Sequence, residues 1–158
     1  MSLPPFHRLL REHGPTVHRY LIAAVGPVAA DDCYQDTWLA ALRAYPTLRS
    51  SRNLTGWLFT VARSKAIDHG RKHARRERMD RTLSHPRPVD QPEDVAANGD
   101  LWVAVATLGK TERDAVRLRY GADLSYSDVA RVLDCSESAA RQRVRAGLTR
   151  LREVIDHE

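Results

Sequence analysis

The C-terminal stretch holds the residues whose types and spacing best suit a chemical task. Residues 136–153, SESAARQRVRAGLTRLRE, carry five arginines and no acid between the second residue and the last. At about 100° per residue, the apolar positions gather on one helix face: Ala140, Val144, Leu148, Leu151 and Ile155. Small or hydrogen-bonding side chains form the opposite ridge, at Ser138, Gln142 and Ala146, and arginines lie on both flanks. This pattern suits a helix in the major groove of DNA, with readers facing bases and cations facing phosphates.

The segment before this helix has the proportions of a helix-turn-helix. SYSDVARVL is a short helical pattern that ends at DCS, a tight turn into the arginine helix. Thr111 with Asp114 and Ser125 with Asp128 fit the capping spacing of helix starts, and Ser136 fits the start of a third helix. The second half is therefore predicted to contain three short helices. The alternative interpretation is an arginine-rich, solvated face on a terminal helix.

A second basic run lies in the first half of the chain. Eight Lys or Arg residues stand against three acids between Arg63 and Arg81. The run follows an aromatic segment and a loop rich in Ser and Arg, and such a setting suits single-stranded bases as well as phosphates. A solvated helix end is the alternative here. Two basic helices in separate domains indicate a protein that contacts two separated stretches of DNA.

Nearly every segment has helical periodicity, which predicts an all-α fold of two small helical domains joined by a flexible linker. The second domain is expected to be a helix-turn-helix of winged-helix-like type. Three prolines, a glycine and scattered acids mark a linker at residues 81–100, between domains at 1–80 and 101–158. Because the linker has few large apolar residues, the domains are expected to move independently.

Within the first domain, the periodicity also predicts which side chains are buried. Pro15 is expected near the start of a second N-terminal helix, where proline is tolerated. The acids of DDCYQDTWLAALRAY are expected at a helix start, where they suit the helix dipole. Its predicted stripe is Cys33, Trp38, Leu39, Leu42 and Tyr45. The next helix is predicted to bury Trp57, Leu58, Val61, Ala62 and Ile67, and the aromatic side chains Trp38, Trp57, Phe59 and Trp102 are assigned to the core.

Composition narrows the function classes. The 158 residues carry a net charge of +5, an excess that permits a polyanionic partner without requiring one. Cys33 and Cys135 lie far apart and outside any CxxC, so neither a disulfide framework nor a structural zinc site is expected. His69 and His73 are spaced i, i+4 but lack a third ligand. We therefore expect neither an enzyme nor a cofactor nor a metal site. The sequence shows no signal-peptide pattern and no membrane-spanning segment, which predicts a cytoplasmic protein.

Two long stretches resemble a known family. DDCYQDTWLAALRAYPTLRSSRNLTGWLFTVARSKAIDHGRKHARR resembles region two of the extracytoplasmic-function (ECF) sigma factors, and LSYSDVARVLDCSESAARQRVRAGLTRLRE resembles their region four. The two occur in the family's order and with its gap. The resemblance implies a bacterial transcription initiation factor that binds core RNA polymerase, recognises promoter DNA and helps to melt it. It also implies an anti-sigma protein as a candidate partner.

The resemblance assigns residues to three surfaces. Those matching the helix that docks on core polymerase are Asp32, Gln35 and Asp36. Trp57 with Leu58, and Ala66 with Ile67 and Asp68, match further motifs of region two. The minus-ten strand is assigned to Arg49, Ser50, Ser51, Arg52, Asn53, Arg63, Ser64, Lys65, His69, Arg71 and Lys72. The minus-thirty-five element is assigned to Ser136, Glu137, Ser138, Arg141, Gln142 and Arg145.

Three positions depart from the family pattern. Ser64 stands where asparagine is frequent, Ala146 stands where arginine is frequent, and LGKTERDAV replaces a leucine-proline opening of region four. Two other function classes remain open at this point. One is a helix-turn-helix regulator that binds duplex operator DNA alone as a dimer. The other is an adaptor whose helical domains bind only protein, with no salt-dependent affinity for DNA.

Overall fold

The computed structural model describes residues 2–83 and 99–157, and this part of the chain is helical without a β-strand. The α-helices, in chain order, are α1 (Phe6–Val25), α2 (Pro27–Ala44), α3 (Leu54–Leu83), α4 (Gly99–Ala106), α5 (Lys110–Val116), α6 (Tyr126–Val132) and α7 (Glu137–Asp156). A 3₁₀ turn, Tyr45–Thr47, follows α2, and a π-helical turn, Arg117–Gly121, follows α5. The predicted all-α class is confirmed. Most of the predicted linker, residues 84–98, lies outside the described residues.

Helices α1, α2 and α3 pack together in the first half. Leu9, Val17 and Leu21 of α1 are buried against Leu58 and Phe59 of α3. These positions recur at helical spacing, so each helix turns one apolar stripe inward. The packing fixes α3, whose basic segment continues beyond the core.

Helix α1 runs without interruption through Pro15, so the predicted start of a second helix at this residue is wrong. Proline lacks the N–H that would bond to the carbonyl four residues earlier, but its fixed φ is helical. Leu9 before it and Val17 after it enter the same core. Burial on both sides of Pro15 outweighs one missing hydrogen bond.

Helix α2 differs from its prediction in two respects. It begins at Pro27, so Asp31 and Asp32 fall beyond the first turn and do not cap the helix. Cys33, Trp38 and Tyr45 are buried as predicted, but Leu39 and Leu42 are each 51% exposed. The inner face is completed by small residues instead, Thr37 and Ala41, because α1 and α3 approach α2 closely there.

An aromatic cluster forms the corner between α2 and α3. The Phe6 ring lies edge-on to Trp38 and Tyr45, with centroids 5.8 and 5.3 Å away. Tyr45 also approaches Trp57, at 6.2 Å, and its hydroxyl donates a hydrogen bond to the Pro4 carbonyl. Edge-to-face pairs of this kind add to the stabilisation from buried area. The cluster fixes the N-terminal segment and the turn that precedes residues 49–53.

The second half contains α4 to α7, one helix more than predicted. Two predicted caps are confirmed, because Ser125 Oγ accepts from the Asp128 amide at 3.1 Å and Ser136 Oγ accepts from the Ala139 amide at 3.0 Å. The Thr111 cap is wrong: α5 begins at Lys110 after Gly109, without a side-chain cap. Gly147 of α7 lets α5 and α7 pack closely, since a Cβ at this position would lie 2.7 Å from Val116 Cγ2.

The predicted core face of α7 is correct at three of its five positions. Ala140, Val144 and Leu151 are buried, whereas Leu148 is 40% exposed and Ile155 58% exposed. The wheel places all five on one face, but the neighbouring helices cover only part of a helix of 20 residues. The uncovered apolar positions therefore lie beside the arginines.

The two halves pack against each other. Helix α3 contacts α6, and α1 contacts the π-helical turn. One apolar core contains Leu58 of the first half together with Leu118 and Val129 of the second. Arg19 Nε donates to the Gly121 carbonyl at 3.1 Å across the same boundary. The structure thus joins halves that the sequence suggested would be independent.

Candidate nucleic-acid interface

Helix α7 presents most of its predicted DNA-reading residues to solvent. Ser138, Gln142 and Arg145 are exposed on successive turns. Ser136 and Glu137 are also exposed, but the Ser136 hydroxyl is engaged as the helix cap. The buried side of α7 packs on α5 and α6, which leaves Ser138 and Gln142 of the outer ridge exposed and Ala146 partly exposed. A hydrogen-bonding ridge on a rigid helix is what direct readout of base edges needs.

Arg141 is held in place before any DNA is bound. Its Nη2 donates to Glu137 Oε1 at 2.7 Å, and its guanidinium lies 4.5 Å from the centroid of the Tyr126 ring. Arg119 stacks on the same ring, also at 4.5 Å, and donates to the Leu124 carbonyl at 2.7 Å. The Tyr126 ring thus contacts two guanidinium groups, each held by cation–π attraction. Glu137, assigned as a reader, supports Arg141 in this arrangement.

Two open grooves flank the ridge of α7. One, of about 390 Å³, is lined by Tyr126, Arg141, Val144, Arg145, Leu148, Thr149 and Arg152. The other, of about 540 Å³, is lined by Glu112, Gln142, Arg145, Ala146, Thr149, Arg150 and Glu153. The positive charge of Arg150 is partly neutralised, because its Nη1 lies 3.2 Å from Glu112 Oε2. The first groove is therefore the more positive of the two.

The residues assigned to the minus-ten strand form a strip rather than one compact site. Residues 49–53 lie immediately before α3, with Asn53 at φ 65° and its carbonyl accepting from the Trp57 amide at 3.0 Å. Ser50 Oγ accepts from the Arg52 amide at 3.1 Å, which orders the loop. Lys72 lies roughly 27 Å further along α3 at about 1.5 Å per residue. A strip of this length can contact several nucleotides of an extended single strand, whereas a single base would cover only a small part of it.

Side chains on the basic part of α3 differ in how free they are. Ser64, Arg71 and Lys72 are exposed. Lys65 and His69 are half-buried, and Lys65 Nζ lies 4.0 Å from Asp68 Oδ2. His69 stacks on His73 at 6.4 Å, and His73 pairs with Glu77 at 3.0 Å. Among the described residues, no cluster of three possible metal ligands occurs around these histidines or elsewhere.

Arg63 is the exception among the assigned DNA-binding residues. Its Nη2 lies 2.7 Å from Asp114 Oδ2 of α5, and the two side chains are only 25% and 15% exposed. No local pattern predicts this pair, because the two residues are 51 positions apart. The spacing from Thr111 predicts a local cap for Asp114 instead. Tyr126 was also missed, since a lone tyrosine at a helix start resembles any other surface residue.

The acidic residues assigned to polymerase docking lie together on α2. Asp32, Gln35 and Asp36 are exposed within about one helical turn. Cys33 lies on the inner side of this turn, where burial raises the pKa of its thiol and the carboxylates of Asp36 and Asp32 raise it further. The arrangement gives one negative, solvent-facing surface, and the raised pKa of the Cys33 thiol behind it favours the protonated form.

Two sequence families match the chain. The family described as Sigma-70 region 2 matches residues 9–76, and Sigma-70, region 4 matches residues 104–153. The first match contains the acidic surface and the strip along α3. The second contains the helix-turn-helix and the arginine ridge. The match to region 2 leaves the stand-alone helix-turn-helix regulator without support.

Known proteins are similar over most of the chain. The ECF RNA polymerase sigma factor BldN of Streptomyces coelicolor is 32% identical over 144 residues, covering 86% of this chain and 54% of that protein. The chain thus spans about half the length of this relative. The ECF RNA polymerase sigma factor RpoE of Cereibacter sphaeroides is 29% identical over 154 residues, covering 94% of this chain and 84% of that protein.

A solved structure shares the fold. The sigma factor RpoE of Bartonella quintana, determined in complex with the anti-sigma factor NepR, superposes with a TM-score of 0.76. The alignment covers 96% of both chains at 24% identity. Two helical halves, the second ending in a helix-turn-helix, define the class of protein. The chain belongs to the sigma-70 family, in its ECF group, and carries regions 2 and 4.

No helix within residues 2–83 and 99–157 combines the length and apolar character needed to span a bilayer.

Proposed function

We propose that this chain is a sigma subunit that directs core RNA polymerase to promoters and initiates transcription. The observation that carries the proposal is the presence of three distinct surfaces on one chain. They are the acidic surface of α2, the basic strip of residues 49–53 and α3, and the arginine ridge of α7. Family membership supports the order in which these surfaces occur.

The side-chain chemistry of each surface suits the binding role proposed for it. The carboxylates of Asp32 and Asp36 complement a basic docking site on the polymerase and steer association. The strip along α3 offers cations to the phosphates of a single strand. The ridge of α7 offers Gln142 to an adenine edge and Arg141 or Arg145 to guanine or phosphate. The protein acts by binding and carries out no reaction of its own.

The proposed partners determine the cellular location of the protein. Polymerase and promoter DNA place the protein in the bacterial cytoplasm. The solved structure of a related fold holds an anti-sigma factor. We therefore include an anti-sigma protein among the candidate partners, competing for the surfaces named above.

Run-off transcription with purified core polymerase tests the proposal. Asp32→Lys with Asp36→Lys should reduce polymerase binding by roughly tenfold, because two attractive contacts become repulsive. The matched control is Glu153→Lys with Asp156→Lys, which makes the same charge change at exposed positions of α7. It should leave polymerase binding unchanged. Wild-type protein that adds no promoter-dependent transcripts would contradict the proposed function.

A further inference from the structure

A cluster of charged side chains surrounds the buried ring of Tyr20. Arg63 Nη2 of α3 lies 2.7 Å from Asp114 Oδ2 of α5. Burial raises the pKa of the Tyr20 phenol, and the Asp114 carboxylate raises it further. The positive charges of Arg63 and Arg117 act on the same phenol in the opposite direction. All three charged groups therefore lie near the phenol, which stays protonated and can donate a hydrogen bond.

Arg113 adds a further positive charge to these groups. It belongs to α5, four residues before Arg117 at the start of the π-helical turn. Burial lowers the pKa of the Arg117 guanidinium, and the positive charge of Arg113 lowers it further. Such a shift is typical of a cation that is short of negative charge in a partly shielded place. The Tyr20 cluster, as we name these five residues, thus has three guanidinium groups, at Arg63, Arg113 and Arg117, against the carboxylate of Asp114.

The protein leaves donors of this cluster without acceptors. The buried Nε atoms of Arg63, Arg113 and Arg117 have no hydrogen-bond partner in the described part of the chain. Arg63 is still engaged through Nη2, which donates to Asp114. Within residues 2–83 and 99–157, neither the Arg113 nor the Arg117 guanidinium forms a side-chain hydrogen bond or an ion pair. Because shielded donors are costly to leave unpaired, an acceptor from outside the chain would be favourable here.

The charge and size of the cluster define the class of acceptor. The ion pair neutralises Arg63 and Asp114, which leaves the two positive charges of Arg113 and Arg117. A phosphate group carries a charge of about −1.5 to −2 at pH 7, and its oxygens match the planar fork of a guanidinium. The Arg63 and Asp114 side chains are only 25% and 15% exposed. A site this closed suits a small anion, whereas a nucleic-acid strand needs an open groove.

We propose that Arg113 and Arg117, backed by the Arg63–Asp114 pair and the Tyr20 phenol, bind a small free anion that bears phosphate groups. The proposal does not depend on the proposed function, because it requires neither promoter DNA nor polymerase. Both side chains are half-buried, so the site can be reached from solvent. Phosphate groups of a free anion and of a DNA strand share the same chemistry, and the experiment therefore separates these two sources.

Thermal unfolding of the full chain in pyrophosphate, compared with sodium chloride at equal ionic strength, tests the site. Pyrophosphate should raise Tm by roughly 3–6 °C, the shift expected when a ligand exceeds its dissociation constant about tenfold. Arg113→Gln and Arg117→Gln should each lose most of this shift. Arg131→Gln, at an exposed position of the same half, is the matched control and should keep it. Each variant is compared with itself in the two salts, so its basal stability does not affect the result.

A second control addresses the exposed arginines of α7, which could also attract pyrophosphate. Arg145→Gln should keep the wild-type shift, because Arg145 lies outside the Tyr20 cluster. A shift that Arg145→Gln abolishes would assign the anion to α7 and overturn the proposal. No shift in the wild type, or a full shift in both Arg113→Gln and Arg117→Gln, would overturn it as well.

A charge change of opposite sign sharpens the test. Asp114→Asn removes the carboxylate and releases Arg63, so the affinity for pyrophosphate in isothermal titration calorimetry should rise about threefold to tenfold. Arg117→Gln should lower the affinity by about tenfold or more. Asp156→Asn removes an exposed carboxylate of the same half and should change nothing. An unchanged or lower affinity in Asp114→Asn contradicts the site, and this variant decides the matter should Arg117→Gln not fold.

A single-stranded oligonucleotide of about ten nucleotides, at the same phosphate concentration, separates the two sources. It should bind wild type and Arg117→Gln equally and should not displace pyrophosphate from the wild type. If it displaces pyrophosphate and loses affinity in Arg117→Gln, the phosphate belongs to a DNA strand, and the small-anion site is overturned.

Discussion

At the scale of single residues, the structure shows which arginines are ready to bind and which are occupied. Arg141 is exposed but pre-positioned by Glu137 and Tyr126, whereas Arg63 is paired and half-buried. Arg150 is paired with Glu112. The sequence shows only that all three are cations. Their partners come from other helices, which no local pattern reveals.

Tyr126 should contribute to DNA binding although it need not contact DNA. In Tyr126→Leu, loss of a cation–π contact of about 0.5–1 kcal/mol should weaken binding to a minus-thirty-five duplex roughly two- to fivefold. Tyr126→Phe keeps the ring and should bind like the wild type. Tyr120→Leu is the control, because Tyr120 is exposed and its cation–π contact is with Arg119, at 6.0 Å. The measurement is fluorescence anisotropy, and equal effects of Tyr126→Leu with and without Arg141→Ala would contradict coupling between the two residues.

Gln142 should determine base preference, whereas Arg150 should not. Gln142→Ala is expected to cost about 1–3 kcal/mol at one preferred base and to relax the preference there. Arg150→Ala breaks a partly exposed pair with Glu112 and should keep the wild-type ranking of promoters. Transcription of a set of minus-thirty-five variants by reconstituted holoenzyme measures both. An unchanged ranking with Gln142→Ala would show that this residue does not read bases.

Tyr20 should make stability depend on alkaline pH. Burial, followed by Asp114, raises the pKa of its phenol above the ordinary value of 10.0. The protonated phenol is therefore favoured in the fold, and its contribution is complete below about pH 10 and lost above it. Between pH 9 and 11.5 (a window around the unfolded pKa of about 10), the free energy of unfolding should fall more for wild type than for Tyr20→Phe. Tyr120→Phe, at an exposed position, is the control in urea titrations.

At the scale of elements, local signals were reliable where the chemistry is local. Ser125 and Ser136 cap their helices as the sequence predicts, because a cap needs only residues three apart. The cap predicted at Thr111 is wrong because α5 begins at Lys110 after Gly109, so Thr111 already lies inside the helix. Helical periodicity identified Ala140 and Val144 as core, but it does not state how far neighbours extend. Leu148 is partly exposed for that reason.

Gly147 should be essential to the contact between α5 and α7. Gly147→Ala would place a Cβ at 2.7 Å from Val116 Cγ2, and overpacking of this kind costs about 1–3 kcal/mol. Gly70→Ala on α3 is the matched control, since nothing lies within 4 Å of its Cβ position. There, removal of a helical glycine should stabilise by about 0.5–1 kcal/mol. Thermal unfolding followed by circular dichroism compares the two, and equal shifts would contradict the close packing at Gly147.

At the scale of the whole molecule, the sequence predicted two helical halves but not how they meet. Leu58, Leu118 and Val129 each lie on an apolar stripe that a small domain could bury by itself. Periodicity identifies such stripes but does not pair one with another. The division at residues 1–80, 81–100 and 101–158 remains our proposal, with α3 extending to Leu83 and α4 beginning at Gly99.

The packing of the halves should survive cleavage of the connection. If a specific protease site is introduced between residues 84 and 98 and cut, the two fragments should co-elute on gel filtration at micromolar concentration. Asp114→Ala should shift them toward separate elution, because loss of one partner leaves Arg63 half-buried and unpaired. Fragments that separate at once without any substitution would contradict a stable boundary.

The aromatic corner gives the chain its own optical probes. The sequence holds three tryptophans, of which Trp38 and Trp57 lie in the corner between the acidic surface of α2 and residues 49–53. The third, Trp102, lies 3.5 Å from the Cβ position of Gly121, at the boundary with Ala23. Water contact shifts indole emission to longer wavelengths. Single-tryptophan variants would therefore report the two events separately and without any attached dye: a shift in emission wavelength at Trp38 or Trp57 would follow polymerase docking, and a shift at Trp102 would follow separation of the halves.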